Sequence, residues 1–240
     1  MIAIITAAGW KGAGRERGLP EVPECFLPLG DGTTTLSRMA TGLSSLGFSV
    51  HIAVAPLGYP FSAYWPKFML DDLPESPWTQ EILDYAGGLG TLIEIENPGR
   101  SGSHDTICKA MGMIPDNWGR LFIARGDMLL QKGGLQKIVS RKWPAQHQLC
   151  PNHSFFMFDK KTATIYLEYM KQFTGEWSTR AEWWGNGKHQ YWPDGHPQGT
   201  QAMKERGLPV HWSDNPVMKW ADVDSPATYT NAIGIVEHDV

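Results

Sequence analysis

The sequence predicts a three-layer α/β protein built on a mostly parallel sheet. Short runs of β-branched and apolar residues alternate with segments whose apolar residues recur every three or four positions, the spacing of a helix with one buried face. Parallel strands need a crossover connection, which is usually a helix, so this alternation favours a parallel sheet with helices on both faces. The chain contains no internal repeat and no low-complexity tract that would indicate another architecture.

The elements of the first half follow one another regularly. Strands are predicted at residues 2–6, 50–54, 92–95 and 121–124, because each is a short run of mostly apolar residues. Helices are predicted between or after them at residues 34–46, 79–85, 104–113 and 135–139. Gly47 ends the first helix, since glycine readily takes the left-handed conformation that closes a helix. Five prolines between residues 55 and 80 make long regular elements unlikely there.

The second half is less regular. A strand is predicted at 154–158, a helix at 161–173 and a late strand at 208–212. Ser225 is expected to cap a final helix that has Pro226 in its first turn. We predict one domain over residues 1–240, with a loop-rich, Trp- and His-rich substrate lobe around 150–212. The tryptophans of that lobe form either a buried aromatic layer or an aromatic pocket for a base, a sugar or a quaternary amine.

Composition excludes several classes of function. The 240 residues are 42% hydrophobic and 19% charged, which suits an ordinary globular core. A net charge of −4 argues against a general nucleic-acid surface, and no apolar run is long enough to predict a membrane span. The three cysteines form no paired motif, so we expect reduced thiols and a cytoplasmic location.

The loop after the first predicted strand has the composition of a phosphate site. Gly9, Gly12 and Gly14 allow sharp turns and bring bare backbone N–H groups against an anion. Lys11 and Arg15 add positive charge at the same place. A tight turn that only joins two elements is the alternative interpretation of such a loop.

Four motifs follow one another in a distinctive order. After the glycine loop come Pro-Glu-Cys-Phe-Leu-Pro-Leu-Gly at residues 23–30 and Thr-Thr-Thr-Leu-Ser-Arg at 33–38. Arg-Gly-Asp at 125–127 ends the fourth predicted strand, and Asp-Val-Asp-Ser-Pro at 222–226 lies near the C-terminus. In this order the sequence resembles the nucleotidyltransferase family with a GT-A-like, Rossmann-like fold. The family includes sugar-1-phosphate nucleotidyltransferases and phosphocholine and sugar-acid cytidylyltransferases. The resemblance covers most of the chain and is weakest at residues 55–90 and 174–205.

The resemblance implies a Mg²⁺-dependent transfer. A nucleoside triphosphate would lie over the glycine loop, a small phosphorylated or phosphonate substrate would attack its α-phosphorus, and pyrophosphate would leave. Asp127, Asp222 and Asp224 are the expected metal ligands, and Lys11, Arg15, Asp127 and Asp224 the expected catalytic residues. As alternatives, Asp127 is a turn residue after Gly126, and Asp222 and Asp224 complement the dipole of the last helix.

Nucleotide binding is implied at two segments. Ala7, Ala8 and Gly9, continuing into Gly12, Gly14 and Arg15, match the family's first loop. Ser101 and Ser103 match loosely the segment that holds the base and ribose. A loop that leads to a helix cap is the alternative interpretation of this second segment.

One residue departs from the family pattern. Glu24 stands where the family has a lysine along the substrate phosphates, and a carboxylate would repel them. Lys11 is the candidate replacement for that charge. The departure also keeps two other functions open. One is a GT-A-like glycosyltransferase that binds a nucleotide-sugar, and the other is a non-catalytic module that binds a nucleotide or sugar phosphate.

Overall fold

The structure, a computed structural model, describes residues 1–9, 21–60, 76–96, 103–140, 146–149, 155–170, 211–213, 220–223 and 225–237. Its strands in chain order are β1 (Ile2–Thr6), β2 (Ser49–Val54), β3 (Thr91–Glu94), β4 (Arg120–Arg125), β5 (Met128–Leu130), β6 (Gln146–Leu149), β7 (Phe155–Asp159), β8 (His211–Ser213) and β9 (Trp220–Asp222). Its helices are α1 (Thr35–Ser45), α2 (Gln80–Leu89), α3 (Ser103–Met113), α4 (Gly134–Val139), α5 (Lys160–Met170) and α6 (Pro226–Glu237), with a 3-10 helix at Glu24–Phe26.

A seven-stranded sheet forms the centre, with the strand order β3-β2-β1-β4-β7-β6-β8. The strands β3, β2, β1 and β4 run parallel to one another, whereas β7 is antiparallel to both β4 and β6, and β8 is parallel to β6. A separate two-stranded antiparallel ribbon pairs β5 with β9. The predicted α/β fold with a mostly parallel sheet is therefore confirmed.

Helices cover both faces of the sheet, which makes three layers. On β1, Ala3 and Ile5 belong to one apolar cluster and Ile2 and Ile4 to the other, as the period of two along a strand requires. The first cluster includes residues of α1, α2 and α4, and the second includes residues of α3 and α5. A third cluster packs α6 against the β5–β9 ribbon. Full burial of one Ile or Leu side chain in such a cluster contributes about 1.5–3 kcal/mol.

The ends of α1 show why the sequence forms this helix where it does. The Thr34 side chain accepts a hydrogen bond from the Ser37 backbone N–H, and Ser37 Oγ accepts one from the Thr34 N–H, so two otherwise unsatisfied donors are paired. At the other end Gly47 has a φ of 82°, the left-handed conformation that the sequence predicts for it. No described helix is long and apolar enough to cross a lipid bilayer.

Three features of the fold differ from the prediction. The helix α2 continues to Leu89 instead of ending at residue 85, because buried Ala86 packs in the first cluster. It ends before Gly90, which passes so close to Val50 that a Cβ there would lie 2.8 Å from the Val50 carbonyl oxygen. The strands β5, β6 and β9 were not predicted, because short segments with polar neighbours carry no clear periodicity.

Candidate functional site

The ends of β1 and β4 lie side by side and define the carboxyl edge of the sheet. Thr6 pairs with Arg125 in the parallel register, and the Gly126 N–H donates a 2.8 Å hydrogen bond to the Thr6 carbonyl oxygen. Ala7 and Ala8 follow β1 as buried residues, and Gly9 is exposed at this edge. Ligands of open α/β sheets bind at the carboxyl ends of the strands. The edge therefore carries the start of the glycine loop and the Gly-Asp motif together, as the sequence predicts.

Gly126 occupies a position where even a Cβ atom would be a tight fit. A Cβ there would lie 3.1 Å from the Thr6 carbonyl oxygen, 3.3 Å from Cys25 Cβ and 3.4 Å from Ile5 Cγ2. Buried Thr35, the first residue of α1, donates a 2.7 Å hydrogen bond from Oγ1 to the Gly126 carbonyl oxygen. The turn that presents Asp127 is therefore closely packed, and hydrogen bonds hold both the N–H and the carbonyl group of Gly126.

The β5–β9 ribbon brings Asp222 to the same turn. Met128 pairs with Asp222 in the ribbon, and the Val223 N–H donates a 2.9 Å hydrogen bond to the Asp127 carbonyl oxygen. The two carboxylates are far apart in sequence, yet both face the side chain of Arg125. Arg125 Nη2 lies 2.6 Å from Asp127 Oδ2 and 3.0 Å from Asp222 Oδ1.

This triad of Arg125, Asp127 and Asp222 is largely removed from solvent. The exposed fraction of the side chains is 22% for Arg125, 16% for Asp127 and 8% for Asp222. Charge-assisted hydrogen bonds of this length are among the stronger polar contacts in proteins. One guanidinium therefore compensates two carboxylates, which leaves the triad with a formal charge of −1.

The alternative role for Asp222, as a charge that complements the dipole of the last helix, stays a prediction. Its carboxylate accepts a hydrogen bond from Arg125, and the side chain that caps α6 is Ser225. Ser225 Oγ accepts from the Thr228 backbone N–H at 3.3 Å, as the sequence predicts for the serine before Pro226.

Glu24 and Cys25 pack against the same turn. Glu24 opens the 3-10 helix and is only 4% exposed, and the Cys25 thiol lies 3.7 Å from the Ala7 carbonyl oxygen. Burial raises the pKa of the Cys25 thiol well above its ordinary value, and the negative charges of Asp127 and Glu24 raise it further. Cys25 is therefore a protonated packing residue, and the carboxylates of Asp127 and Glu24 both act on its thiol.

The motif at residues 33–38 organises a loop next to the edge. Arg38 donates hydrogen bonds to Thr33 Oγ1 at 2.8 Å and to Asp31 Oδ2 at 2.5 Å. Partial burial raises the pKa of Asp31, but hydrogen bonds from Thr33 and Arg38 outweigh it and lower the pKa from 3.8 to about 2. Arg38 thus fixes the turn that precedes α1.

Two contributors to this edge were not among the residues predicted for the site. Arg125 could have been noticed as a cation at the end of an apolar strand, two residues before Asp127. Thr35 gives no such signal, because a threonine at the start of a helix is common and its partner lies 91 residues away.

Several predicted site residues lie outside the described part of the chain. These are Lys11, Gly12, Gly14, Arg15, Ser101 and Asp224. Ser103 is described only as the first residue of α3. Within the described residues, no group of three or more His, Cys, Asp or Glu side chains is arranged to hold a metal ion.

Comparisons with known proteins bear on the fold. No protein-family model and no curated protein sequence matches the chain. Among solved structures, the inositol-1-phosphate CTP transferase from T. maritima is similar at a TM-score of 0.59 and 15% identity, over 99% of this chain and 97% of that one. The CTP:phosphocholine cytidylyltransferase from Streptococcus pneumoniae matches at 0.59 and 12% identity, over 98% of each chain. UDP-glucose pyrophosphorylase complexed with UDP-glucose matches at 0.58 and 13%, over 100% of both.

These similarities extend over nearly the whole chain and concern the fold. At 10–15% identity they show that this chain shares the fold of the nucleotidyltransferase structures, which is the fold that the sequence motifs indicate. Function depends on the residues at the site rather than on the fold they stand on. The function of this chain therefore depends on the residues at the carboxyl edge.

Proposed function

We propose that this chain is a nucleotidyltransferase. It would join a nucleoside triphosphate to a small phosphorylated or phosphonate substrate and release pyrophosphate. The observation that carries the proposal is the pairing of Thr6 with Arg125, which places the start of the glycine loop beside the turn of Asp127. The shared fold supports it, because the solved structures similar to this one include a CTP transferase and a UDP-glucose pyrophosphorylase.

The proposed roles follow the chemistry of the residue types. Backbone groups of Ala7, Ala8 and Gly9 would contact the nucleotide where β1 ends, and Gly12 and Gly14 would let the loop follow the phosphates. Lys11 and Arg15 would stabilise the charge that builds up on the phosphate oxygens during transfer. Ser101 and Ser103 would bind the base or the ribose. We place the reaction in the cytoplasm, where the buried thiols of Cys25 and Cys108 stay reduced.

Mg²⁺ belongs to the proposal only as the ion that the triphosphate carries. The resemblance assigns three carboxylates to the metal, and the structure describes two of them, Asp127 and Asp222. Both already accept hydrogen bonds from Arg125, so this pair as it stands does not fit a bare divalent cation. Asp127, together with Asp224, remains the proposed link between the protein and a metal-bound nucleotide.

The direct test is release of pyrophosphate from each of the four common nucleoside triphosphates with a panel of sugar phosphates and phosphocholine. We expect one combination to give turnover, and Asp127→Asn to lower it by orders of magnitude. Asp84→Asn is the matched control, because Asp84 is an exposed carboxylate on α2 whose side chain contacts Gln80 of the same helix. Equal activity of Asp127→Asn and the wild type would contradict the assignment.

The loop cations and Glu24 can be tested by nucleotide titration. Arg15→Ala should weaken triphosphate binding more than Arg17→Ala, because only Arg15 occupies the family's arginine position after the glycines. If Lys11 replaces the missing lysine, Lys11→Ala should weaken binding and Glu24→Ala should preserve or tighten it. If Glu24 instead contacts the second substrate, Glu24→Ala should raise the KM of that substrate alone.

The two alternative functions give different results in the same assays. A glycosyltransferase would bind a nucleotide-sugar and release no pyrophosphate from any triphosphate. A non-catalytic module would show a nucleotide-dependent rise in Tm without turnover of either class of substrate. Glu24 favours these alternatives, because neither has to hold a triphosphate against a buried carboxylate.

A further inference from the structure

We propose that Arg125 is the resident cation of this site. Its guanidinium holds the Asp127 and Asp222 carboxylates together in the free protein, so that this pair takes up no free divalent cation. The inference rests on the proposed function, because it concerns how that site is supplied with metal.

The geometry makes Arg125 a bridge. A single nitrogen, Nη2, contacts an oxygen of each carboxylate, at 2.6 and 3.0 Å. Neither carboxylate reaches this position by chance, because each is fixed by the backbone of a strand pair. The ribbon pairing of Met128 with Asp222 holds one, and the bond from the Val223 N–H to the Asp127 carbonyl oxygen holds the other.

The position of Arg125 is fixed as well. It is the last residue of β4 and pairs with Thr6 in the central sheet, so its backbone is held on a rigid element. Its side chain is only 22% exposed and already lies over the edge. The contact between the guanidinium and the two carboxylates is therefore built into the fold.

Charge decides what this bridge excludes. Mg²⁺ is usually bound through one or two carboxylates together with substrate phosphates, and Mn²⁺ also takes carboxylate ligands. Here one oxygen of each carboxylate, Asp127 Oδ2 and Asp222 Oδ1, already accepts a hydrogen bond from a guanidinium, which stays charged at all ordinary pH values. A divalent ion that approached the pair would have to displace Arg125 or lie within a few ångströms of its like charge, where repulsion is strong.

A consequence for the order of binding follows. A free divalent cation has no negative charge that could bind the guanidinium of Arg125. A triphosphate has such charge, because phosphate oxygens bind arginine as carboxylates do. The nucleotide can therefore draw Arg125 away from the acidic pair and bring its own metal. In the free protein the cation at this position is Arg125.

The proposal can be tested by titrating the full-length protein with Mn²⁺ in the absence of nucleotide and measuring free Mn²⁺ by electron paramagnetic resonance. Arg125→Met removes the charge and keeps most of the side-chain length, and Arg125→Lys keeps the charge. We expect wild type and Arg125→Lys to bind Mn²⁺ weakly and Arg125→Met to bind it about tenfold more tightly or better, because one compensating charge is gone. Adding Asp222→Asn to Arg125→Met should return the affinity to the wild-type level.

The proposal is wrong if the wild type binds Mn²⁺ as tightly as Arg125→Met, or if the added Asp222→Asn leaves the tighter binding intact. Should Arg125→Met fail to fold, Asp222→Asn in the wild-type background gives the answer. The proposal expects its Mn²⁺ affinity to equal that of the wild type, and a drop would show that Asp222 is a metal ligand and overturn it. No nucleotide is present, so these outcomes stand apart from the proposed function, whose failure would appear as absent pyrophosphate release in the wild type.

Discussion

Replacing Gly126 by alanine tests whether the close packing at the carboxyl edge matters for stability and for the site. Gly126 lies between the last residue of β4 and Asp127, and the added Cβ would approach three atoms at 3.1, 3.3 and 3.4 Å. Two of these atoms, the Thr6 carbonyl oxygen and Ile5 Cγ2, belong to the central strand β1. The Thr6 carbonyl oxygen is a backbone atom that cannot move without disturbing the pairing of β1, and the Ile5 methyl group lies in the packed core.

The expected magnitude follows from two opposing effects. Overpacking a rigid site costs about 1–3 kcal/mol, because carbon atoms prefer separations near 3.5–4.0 Å. Alanine also restricts the unfolded chain relative to glycine, which stabilises the folded state by about 0.4–1 kcal/mol. We expect Gly126→Ala to lower the free energy of unfolding by about 1–2 kcal/mol and to displace Asp127 by a few tenths of an ångström.

Urea unfolding followed by circular dichroism measures the first effect, and nucleotide titration measures the second. Gly112→Ala is the matched control, because a Cβ at this exposed position of α3 has nothing within 4 Å. It should be neutral or stabilising by up to about 1 kcal/mol, since alanine favours a helix over glycine. A Gly126→Ala protein as stable as the wild type, with unchanged nucleotide affinity, would refute the packing argument.

The remaining predictions concern stability. Thr35→Val should cost about 1–3 kcal/mol in urea unfolding, because the buried Gly126 carbonyl loses its 2.7 Å donor, whereas Thr35→Ser should retain most of that stability. Asp31→Asn should cost less than about 1 kcal/mol at pH 7, since its pairing with Arg38 is partly exposed. The folded-state pKa of Asp31 is depressed to about 2, so the stability advantage of the wild type over Asp31→Asn should be complete above pH 3.8 and disappear as the pH falls through 2. A difference in unfolding free energy that stays constant from pH 5 to pH 2 would argue against the pairing. Burial lowers the pKa of His51 below 6.5, so protonation of this side chain favours the unfolded chain. The free energy of unfolding of the wild type should therefore fall as the pH drops below 6.5. An equal fall in His51→Gln would show that other groups cause the loss.

The sequence is enough to predict most of the sheet and helices of the first half. Periodicity is a local property, and the runs that form β1, β2 and β4 each indicate burial on both faces without knowledge of the rest of the chain. The parallel arrangement then brings Gly9 and Asp127 to one edge, because all parallel strands end on the same side. The motif order leads to the same fold, which the solved structures share over nearly the whole chain.

Other features depend on contacts that no local pattern encodes. The antiparallel direction of β7 is one of them, because an apolar run looks the same in either direction. The β5–β9 ribbon is another, since its strands are three residues long and meet across the whole second half of the chain. Helix α2 likewise ends where Gly90 meets Val50 on a neighbouring strand.

The sequence by itself was enough to predict the class of fold, the position of the start of the glycine loop and of the Gly-Asp turn at one edge, and the carboxylates near the C-terminus as candidates for that edge. Only the tertiary structure decided what those carboxylates contact. Asp222 meets Arg125 across 97 positions of sequence because the β5–β9 ribbon folds back onto the end of β4. An ion pair of this kind depends on backbone pairings between distant segments, so no local sequence pattern shows which residues form it.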